Sequence, residues 1–260
     1  MHQRALRSEG NVMTDFAGQV AVVTGGAGAL GRCTARRLAG LGATVALLDV
    51  ADPAAAVEET GAAFGAVADL CDEAQVDGAI GEVLSRYGRV DVLVNNAGLH
   101  VGVDRVPFWE IGADTWDRVV ESNVRSAFLC AKAVASPMRE ARRGRIVNLS
   151  SDTAVFGMAN FLHYVTAKAA IVGMTRALAR ELGPSGIAVN AVAPGAVQTP
   201  DVLAALGQDG WDRVVGGQCL TEPITSEDIA QAICYLCGPG ARIVTGQTLL
   251  VNGGANMGAF

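Results

Sequence analysis

Tyr164 and Lys168 stand four residues apart in a stretch with helical spacing. Residues at that separation lie on the same face of a helix, one turn apart. A phenol with its ordinary pKa near 10 is a poor base at neutral pH unless nearby positive charge stabilises the phenolate. Lowering that pKa from 10 to about 7 takes roughly 4 kcal/mol of differential stabilisation. The pair therefore predicts proton exchange with the oxygen of an alcohol or a carbonyl compound.

A glycine-rich turn follows the first apolar run of the chain and precedes a helical pattern. It contains Gly25, Gly28, Ala29, Leu30 and Gly31. Backbone N–H groups at a helix N-terminus bind phosphate oxygens, and the helix dipole favours an anion there. Such a turn also occurs without a ligand, so it predicts a phosphate site only together with a second feature.

Asp49 is that second feature, because it ends the next apolar run, 18 residues after Gly31. A carboxylate at this place accepts hydrogen bonds from both hydroxyls of an adenosine ribose and repels a 2′-phosphate. These residues predict a site for NAD rather than NADP. Arg32, directly after the turn, keeps a phosphate clamp open as an alternative.

Short apolar runs alternate with helical patterns along most of the chain. The runs predict strands over residues 20–24, 44–49, 64–68, 90–95, 144–150, 187–192 and 247–251. The stretches between them predict helices over residues 30–41, 53–61, 73–87, 115–135, 161–182 and 226–237. Strands that are apolar almost throughout and separated by helices are typical of a parallel sheet covered on both faces. We therefore predict a single α/β domain over residues 14–260, after a flexible extension at residues 1–13.

One connection, from about residue 196 to 225, is longer than the others and contains Trp211. Long connections in a compact domain are usually lids or binding segments. In a doubly wound sheet it lies above the carboxyl ends of the strands, where ligands bind. We expect this segment to be a loop that acts as a lid or as part of the substrate-binding site.

The composition excludes several classes of protein. Half of the 260 residues are hydrophobic and 18% are charged, which excludes a disordered chain or a coiled coil. The net charge of −6 argues against a nucleic-acid partner. The sequence has no apolar run long enough to cross a bilayer, so we expect no membrane partner and a cytoplasmic location. Cys234 and Cys237 lie in a helical pattern and predict a buried core pair rather than a metal or redox site.

Together with further motifs, the tyrosine–lysine pair and the glycine turn resemble the short-chain dehydrogenases/reductases over about residues 17–254. In the turn, Ala29 stands where that family usually has its middle glycine. The further motifs are Asp69-Leu70, Asn95-Asn96-Ala97-Gly98, Asn123, Ser150-Ser151, Pro194-Gly195-Ala196-Val197-Gln198-Thr199, Val244-Thr245-Gly246-Gln247 and Val251-Asn252-Gly253-Gly254. The resemblance implies a doubly wound Rossmann fold, with a mostly seven-stranded parallel sheet in the order 3-2-1-4-5-6-7.

The resemblance also implies a role for each catalytic residue. Ser151 binds the substrate oxygen, and it matches better than Ser150 because it precedes Tyr164 by 13 residues. Tyr164 exchanges the proton, Lys168 holds the nicotinamide ribose, and the backbone of Asn123 holds a water that relays protons. Besides the glycine turn and Asp49, the cofactor-binding residues that it implies are Asp69, Leu70, Asn96, Ala97, Gly98, Tyr164, Lys168, Pro194, Gly195, Val197 and Thr199.

We therefore expect reversible NAD(H)-dependent hydride transfer between a secondary alcohol and its ketone, without a metal. We also expect a dimer or tetramer built on the helices over residues 115–135 and 161–182. Phe156, Met158 and Phe161 could line the substrate pocket or the core, and Thr153 and His163 are candidates to shape specificity. Two alternatives remain open. One is an NADPH-dependent reductase of 3-oxoacyl thioesters on acyl carrier protein, against which Asp49 speaks. The other is an NAD(H)-sensing module without catalysis, which needs no intact catalytic set.

Overall fold

Parallel strands and surrounding helices account for most of residues 15–100 and 102–258, which the computed structural model describes. The strands are, in chain order, β1 (Val20–Thr24), β2 (Thr44–Asp49), β3 (Phe64–Val67), β4 (Val92–Asn95), β5 (Gly144–Leu149), β6 (Ile187–Pro194) and β7 (Thr248–Val251). Within the described residues, these seven strands form one parallel sheet in the order β3-β2-β1-β4-β5-β6-β7. The predicted sheet and its strand order are therefore confirmed. The extension predicted over residues 1–13 lies outside the described residues.

The helices lie between the strands, as the alternating patterns predict. They are α1 (Ala29–Gly40), α2 (Ala54–Thr60), α3 (Glu73–Tyr87), α4 (Ala113–Val120), α5 (Ser126–Glu140), α6 (Thr153–Phe156), α7 (Leu162–Leu182), α8 (Pro200–Gly216) and α9 (Ser226–Cys237). In the described part of the chain, none of them is both long enough and apolar enough to pass through a membrane.

The residues of β1 explain why helices cover both faces of the sheet. Val20 and Val22 pack into one core cluster with α3, α5 and α7. Ala21 and Val23 pack into a second cluster with α1 and α9. Successive side chains of a strand point to opposite faces, so a strand that is apolar at every position is stable only when both faces are covered.

The helix predicted over residues 115–135 differs from the structure in one respect. The chain forms α4, then a π-helical segment at Glu121–Arg125, and then α5, which continues to Glu140 across Pro137. A π-helical turn makes i→i+5 hydrogen bonds and is frequent at functional sites. Apolar spacing at the helical period does not reveal such a local change, so the sequence pattern missed it.

The prediction of a loop over residues 196–225 is wrong for most of that range, because it contains the helix α8. The Thr199 side chain caps α8 by accepting a hydrogen bond from the backbone N–H of Val202, and Pro200 is its first residue. A threonine cap followed by proline is a common helix start. Gly207 interrupts the helix with φ 62° and ψ 173°, and such glycines weakened the helical pattern in the sequence.

Candidate active site

The carboxyl ends of the strands open into a cavity of about 1810 Å³. Ser151, Tyr164 and Lys168 line this cavity, whereas Asn123 lies behind its wall. The lining also includes the other residues predicted to bind the cofactor, namely Gly25, Gly28, Ala29, Leu30, Gly31, Asp49, Asp69, Leu70, Asn96, Ala97, Gly98, Pro194, Gly195, Val197 and Thr199. Residues far apart in the sequence thus meet at one edge of the sheet, where parallel α/β folds bind ligands.

The glycine turn is packed too closely for larger residues at its two ends. A Cβ on Gly31 would lie 2.1 Å from the carbonyl oxygen of Gly25, and Gly25 itself has φ +64°. Both positions therefore require glycine. The side chain of Ala29 is exposed, so the departure from the family's usual glycine does not crowd the turn.

The start of α1 suits a phosphate group. Its N-cap is Gly28, the first turn of the helix contains no acidic residue, and no described side chain caps it. The unpaired backbone N–H groups of a helix N-terminus bind anions. The pyrophosphate of a dinucleotide therefore fits this end of the cavity.

Asp49 is fixed beside that turn by two backbone hydrogen bonds. Its Oδ2 accepts from the N–H of Ala27 at 2.8 Å, and its Oδ1 accepts from the N–H of Ala51 at 3.0 Å. A carboxylate at this place suits a ribose with two free hydroxyls. Arg32 is engaged elsewhere: its Nε donates to the carbonyl of Ala27, and its NH1 pairs with Glu59 Oε2 at 2.5 Å.

Two consecutive serines after β5 have different surroundings. The hydroxyl of Ser150 donates to the carbonyl of Lys168 at 2.8 Å, which ties β5 to α7. The Oγ of Ser151 accepts from the N–H of Thr153 at 3.2 Å and lies 3.0 Å from the Thr153 hydroxyl. A hydroxyl that accepts in this way keeps its own proton available to a ligand. These contacts favour Ser151 over Ser150 as the serine that binds substrate.

Tyr164 and Lys168 lie one turn apart on α7, with the ammonium 5.6 Å from the centre of the phenol ring. Lys168 Nζ donates to the carbonyl of Leu149 at 3.0 Å. Burial lowers the pKa of Lys168 to about 8. Burial also raises the pKa of Tyr164 to about 12, against the lowering effect of a hydrogen bond with Ser151. The acidic phenol expected from the sequence is therefore not a property of the protein alone.

Asn123 lies in the π-helical segment, and its side chain packs behind the cavity wall. Its Nδ2 donates to the carbonyls of Leu99 at 3.0 Å and Val119 at 2.9 Å. Gly98 lies between Asn123 and Lys168, so that a Cβ on Gly98 would be 2.5 Å from Asn123 Oδ1 and 3.2 Å from Lys168 Nζ. The water-holding role of its backbone stays a prediction.

The residues considered for specificity divide into two groups. Thr153, Phe156, Met158 and Phe161 line the cavity. His163 is fully buried against the edge of the Phe161 ring and does not line it.

Several cavity residues were missed by sequence reasoning. Arg105 is one of them: its guanidinium lies 5.0 Å from the ring centre of Phe161, which in turn stacks on Tyr164 with ring centres 4.7 Å apart. Asp152, Gln218 and Asn256 also line the wall. Only the position of Asp152, next to the predicted catalytic serine, could have indicated one of them.

The structure also bears on the metal and cysteine predictions. Among residues 15–100 and 102–258, no three His, Cys, Asp or Glu side chains converge as metal ligands do. Cys234 and Cys237 are buried in the core cluster that contains α9. Burial raises the pKa of both thiols, which keeps them protonated.

Comparison with known proteins identifies the family. A family sequence model described as "Enoyl-(Acyl carrier protein) reductase" matches residues 25–256. A dehydrogenase subunit of Thauera aromatica named for (2S)-[(R)-hydroxy(phenyl)methyl]succinyl-CoA is 41% identical, over 92% of this chain and 97% of the relative. The chain belongs to the short-chain dehydrogenase/reductase family. The predicted family is therefore confirmed.

Other short-chain dehydrogenases/reductases are similar over nearly their whole length. Cis-4-hydroxycyclohexanecarboxylate dehydrogenase of Sinomonas cyclohexanicum is 38% identical, over 92% of this chain and 97% of the relative. The 3-oxoacyl-[acyl-carrier-protein] reductase of Escherichia coli K12 is 33% identical, over 94% and 99%. Together, the relatives confirm the prediction of an oxidoreductase of this family that acts on CH–OH groups.

Solved structures of short-chain dehydrogenases/reductases superpose closely on the chain. Levodione reductase has a TM-score of 0.86 and 33% identity, with 92% of this chain and 98% of that chain covered. NAD⁺-bound xylitol dehydrogenase has a TM-score of 0.85 and 32% identity, with 92% and 99% covered. These likenesses confirm the predicted Rossmann-type fold.

Proposed function

We propose that this protein catalyses reversible NAD(H)-dependent hydride transfer between a secondary alcohol and the corresponding ketone, with Ser151, Tyr164 and Lys168 as its catalytic residues. One observation carries the proposal. The three side chains line the same cavity as the glycine turn and Asp49, so one ligand-sized space joins a nucleotide site to an acid–base site.

Each catalytic side chain has a distinct task in this reaction. NAD⁺, when bound, supplies the hydride acceptor. Ser151 donates its hydroxyl proton to the substrate oxygen and stabilises the charge that develops there. During oxidation Tyr164 takes the proton of the alcohol as the phenolate, which the positive charges of Lys168 and of NAD⁺, when bound, would stabilise, and during reduction the phenol returns a proton. Lys168 binds the nicotinamide ribose, and its carbonyl partner Leu149 keeps the ammonium at the cavity wall.

Proton relay completes the scheme. Asn123 is buried behind Gly98, next to the ammonium of Lys168. A π-helical segment carries it, and that segment has irregular backbone hydrogen bonding. We assign its backbone to the water that connects Lys168 with solvent.

NAD is the proposed cofactor, and two features support it over NADP. The carboxylate of Asp49 repels a 2′-phosphate at the adenosine ribose. The guanidinium of Arg32, the nearest candidate for a phosphate clamp, is paired with Glu59. The NAD⁺-bound relative, xylitol dehydrogenase, agrees with this choice.

A second candidate function is the NADPH-dependent reduction of 3-oxoacyl thioesters. The likeness to the Escherichia coli 3-oxoacyl-[acyl-carrier-protein] reductase favours it. The position of Asp49 opposes it. Comparing kcat/KM with NADH and NADPH on an acetoacetyl thioester separates the two functions.

The assembly that we propose is a dimer or tetramer built on α4, α5 and α7. Phe128 on α5 is 50% exposed and Leu162 on α7 is 43% exposed, and large apolar side chains with that exposure often mark contact surfaces. Sedimentation of the full chain tests this proposal, since a particle of 26.7 kDa contradicts it. The cytoplasmic location expected from the sequence stays a prediction.

The formation of NADH from NAD⁺ across a panel of cyclic and acyclic secondary alcohols tests the proposed reaction. In Tyr164→Phe we expect kcat to fall by a factor of about 100 to 10,000, because the general acid–base is lost. Tyr235→Phe, on the exposed face of α9, is the matched control and should retain wild-type turnover. Unchanged turnover in Tyr164→Phe contradicts the mechanism. NADH binding without turnover of any alcohol or ketone favours the sensing module instead.

A further inference from the structure

One wall of the cavity, beside Ser151, carries polar groups that hydride transfer does not use. Asp152 follows Ser151 directly, and Gln218 and Asn256 line the same cavity. Gln218 is 6% exposed and Asp152 is 7% exposed. Polar groups buried to that degree are nearly always hydrogen-bonded within the protein or to a ligand or water.

The side-chain amide of Gln218 lacks such partners. Neither its Nε2 nor its Oε1 is hydrogen-bonded to any described residue, and the same holds for Oδ1 of Asn256. Leaving a buried donor or acceptor unpaired costs about 1–3 kcal/mol. Three unpaired polar atoms on the wall of a ligand cavity therefore indicate a ligand group that pairs with them.

These side chains are held in place by the segment that follows β7. Asn256 Nδ2 donates to Asp152 Oδ2 at 3.1 Å, and Asn252 Nδ2 donates to the carbonyl of Asn256 at 3.1 Å. The Oε1 of Gln218 packs on Gly253, where a Cβ would lie only 2.1 Å away. The polar wall is thus a connected and preformed arrangement rather than a set of mobile surface groups.

The available atoms select the chemistry of the ligand group. Asp152, Gln218 Oε1 and Asn256 Oδ1 accept hydrogen bonds, and Gln218 Nε2 donates. A hydroxyl donates one hydrogen bond and accepts others, so it pairs with Gln218 Nε2 and with one of the three acceptors. A carboxylate on the ligand offers only acceptors, and its negative charge is repelled by that of Asp152 in a partly desolvated place. An apolar group leaves the buried polar atoms unpaired.

We propose that Asp152, Gln218 and Asn256 bind a second hydroxyl group of the substrate, on the carbon next to the reacting one. This inference rests on the proposed function, in which Ser151 binds the reacting oxygen. Ser151 and Asp152 are consecutive in the chain and line the same cavity, which favours a second hydroxyl near the first. The substrate class is therefore a vicinal diol in the direction of oxidation and an α-hydroxyketone in the direction of reduction.

The reaction on a diol balances with the groups already described. One C–H bond of the diol breaks and its hydride passes to NAD⁺, while the O–H proton of the same carbon passes to Tyr164 and then to solvent. The products are an α-hydroxyketone, NADH and one proton. The second hydroxyl is unchanged and stays on the polar wall.

Matched substrates test the proposal with the full-length enzyme and NAD⁺. Cyclohexane-1,2-diol, as separate cis and trans isomers, is compared with 2-methylcyclohexanol, which has a methyl group in place of the second hydroxyl. We expect kcat/KM to be at least about tenfold higher for one diol isomer, since a polar site rejects a group that leaves it unpaired. Trans-2-hydroxycyclohexanecarboxylate, as a third substrate, tests a carboxylate in the same place.

Variants of the polar wall connect this preference to the residues. In Gln218→Met and, independently, in Asn256→Leu, the ratio of kcat/KM for the diol to that for 2-methylcyclohexanol should fall about tenfold. Gln231→Leu, on the exposed face of α9, should leave that ratio unchanged. Thermal unfolding and NADH binding identify a variant that fails to fold. In that case the kcat/KM ratio of the other variant decides whether the diol preference depends on the polar wall.

The outcomes separate the subsite from the reaction. A wild-type enzyme that prefers 2-methylcyclohexanol, or a diol preference that survives both substitutions, overturns the subsite and leaves the proposed function standing. A carboxylate substrate that surpasses both diols, and loses this advantage in Gln218→Met, overturns the hydroxyl as the group bound. If no alcohol of any kind is oxidised, the proposed function fails and the subsite fails with it.

Discussion

Gly98 lies against the side chain of Asn123 so closely that a Cβ on Gly98 would be 2.5 Å from Asn123 Oδ1. The same Cβ would be 3.2 Å from Lys168 Nζ, so the absence of a side chain at Gly98 allows both polar groups to pack against its backbone. The motif Asn95-Asn96-Ala97-Gly98 therefore has a steric reason to end in glycine. This contact gives the first expected outcome.

Gly98→Ala should lower kcat about tenfold or more, because the methyl group displaces Asn123, Lys168 or both from their places. Overpacking of this kind costs about 1–3 kcal/mol of folding free energy. Gly78→Ala is the control, since Gly78 is exposed on α3 and has no atom near its Cβ position. There we expect unchanged kcat and a stability gain of about 0.5–1 kcal/mol. Steady-state kinetics and thermal unfolding measure both, and wild-type kcat in Gly98→Ala would contradict the steric argument.

The two serines after β5 should separate activity from stability. Ser151→Ala removes the hydroxyl that we propose binds the substrate oxygen, so we expect kcat to fall about 100-fold with little loss of stability. Ser150→Ala removes the hydrogen bond to the Lys168 carbonyl and should cost about 1 kcal/mol of unfolding free energy. Parallel kinetics and urea unfolding of both variants test this division. The reverse pattern would assign the catalytic role to Ser150.

Asp49→Ala should shift the cofactor preference toward NADP. The wild type should have a higher kcat/KM with NAD⁺ than with NADP⁺, and the ratio should fall at least about tenfold when the carboxylate is removed. Asp52→Ala, an exposed carboxylate in the next turn, is the control and should leave the ratio unchanged. A wild-type preference for NADP⁺ would overturn the assignment of NAD.

The burial of Lys168 should make the stability of the apoenzyme depend on pH between about 8 and 10.5. Burial lowers the pKa of Lys168 from 10.5 to about 8. Between these values the unfolded chain binds more protons than the folded chain, so stability rises with pH. The penalty is fully present below about pH 8 and is on the order of 3 kcal/mol. The Tm of the wild type, relative to that of Lys168→Met, should therefore increase from pH 8 to 10.

Lys132→Met is the comparison for this pH series, because the exposed Lys132 on α5 forms an ion pair with Glu73. The hydrogen bond to Glu73 raises the pKa of Lys132. Its contribution to stability is present below the unfolded pKa of 10.5 and is lost as pH rises through the folded pKa. The Tm difference between the wild type and the variant should thus change with pH in opposite directions for Lys168 and Lys132. A Tm difference for Lys168→Met that is independent of pH would contradict the burial effect.

Much of the fold followed from local patterns in the sequence. The runs at Val20–Thr24 and Thr44–Asp49 are apolar except at their polar end residues, and the structure has strands with those same bounds. Helix α8 was missed because its glycines obscure the helical period. The π-helical segment was missed because it changes the hydrogen bonding but keeps the side-chain pattern.

The site divides in a similar way. The spacing of the motifs indicated Ser151, Tyr164 and Lys168, which the structure brings to one cavity, and their catalytic roles stay a prediction. Gln218 and Asn256 could not be named from the sequence, because their relation to Asp152 arises from tertiary packing. The raised pKa of Tyr164 could not be foreseen either, since it depends on burial rather than on residue type.

The structure of α8 bears on how this enzyme can acquire new selectivity. Trp211 is the one described residue of α8 that is buried, and Gly207 divides the helix into two parts. Val202, Ala205 and Leu206, in the part before Gly207, line the cavity, so exchanging this part for another sequence would alter the cavity wall without changing either core cluster beside the sheet. In such an arrangement, the residues that contact the substrate can change during evolution while the reactive groups are retained.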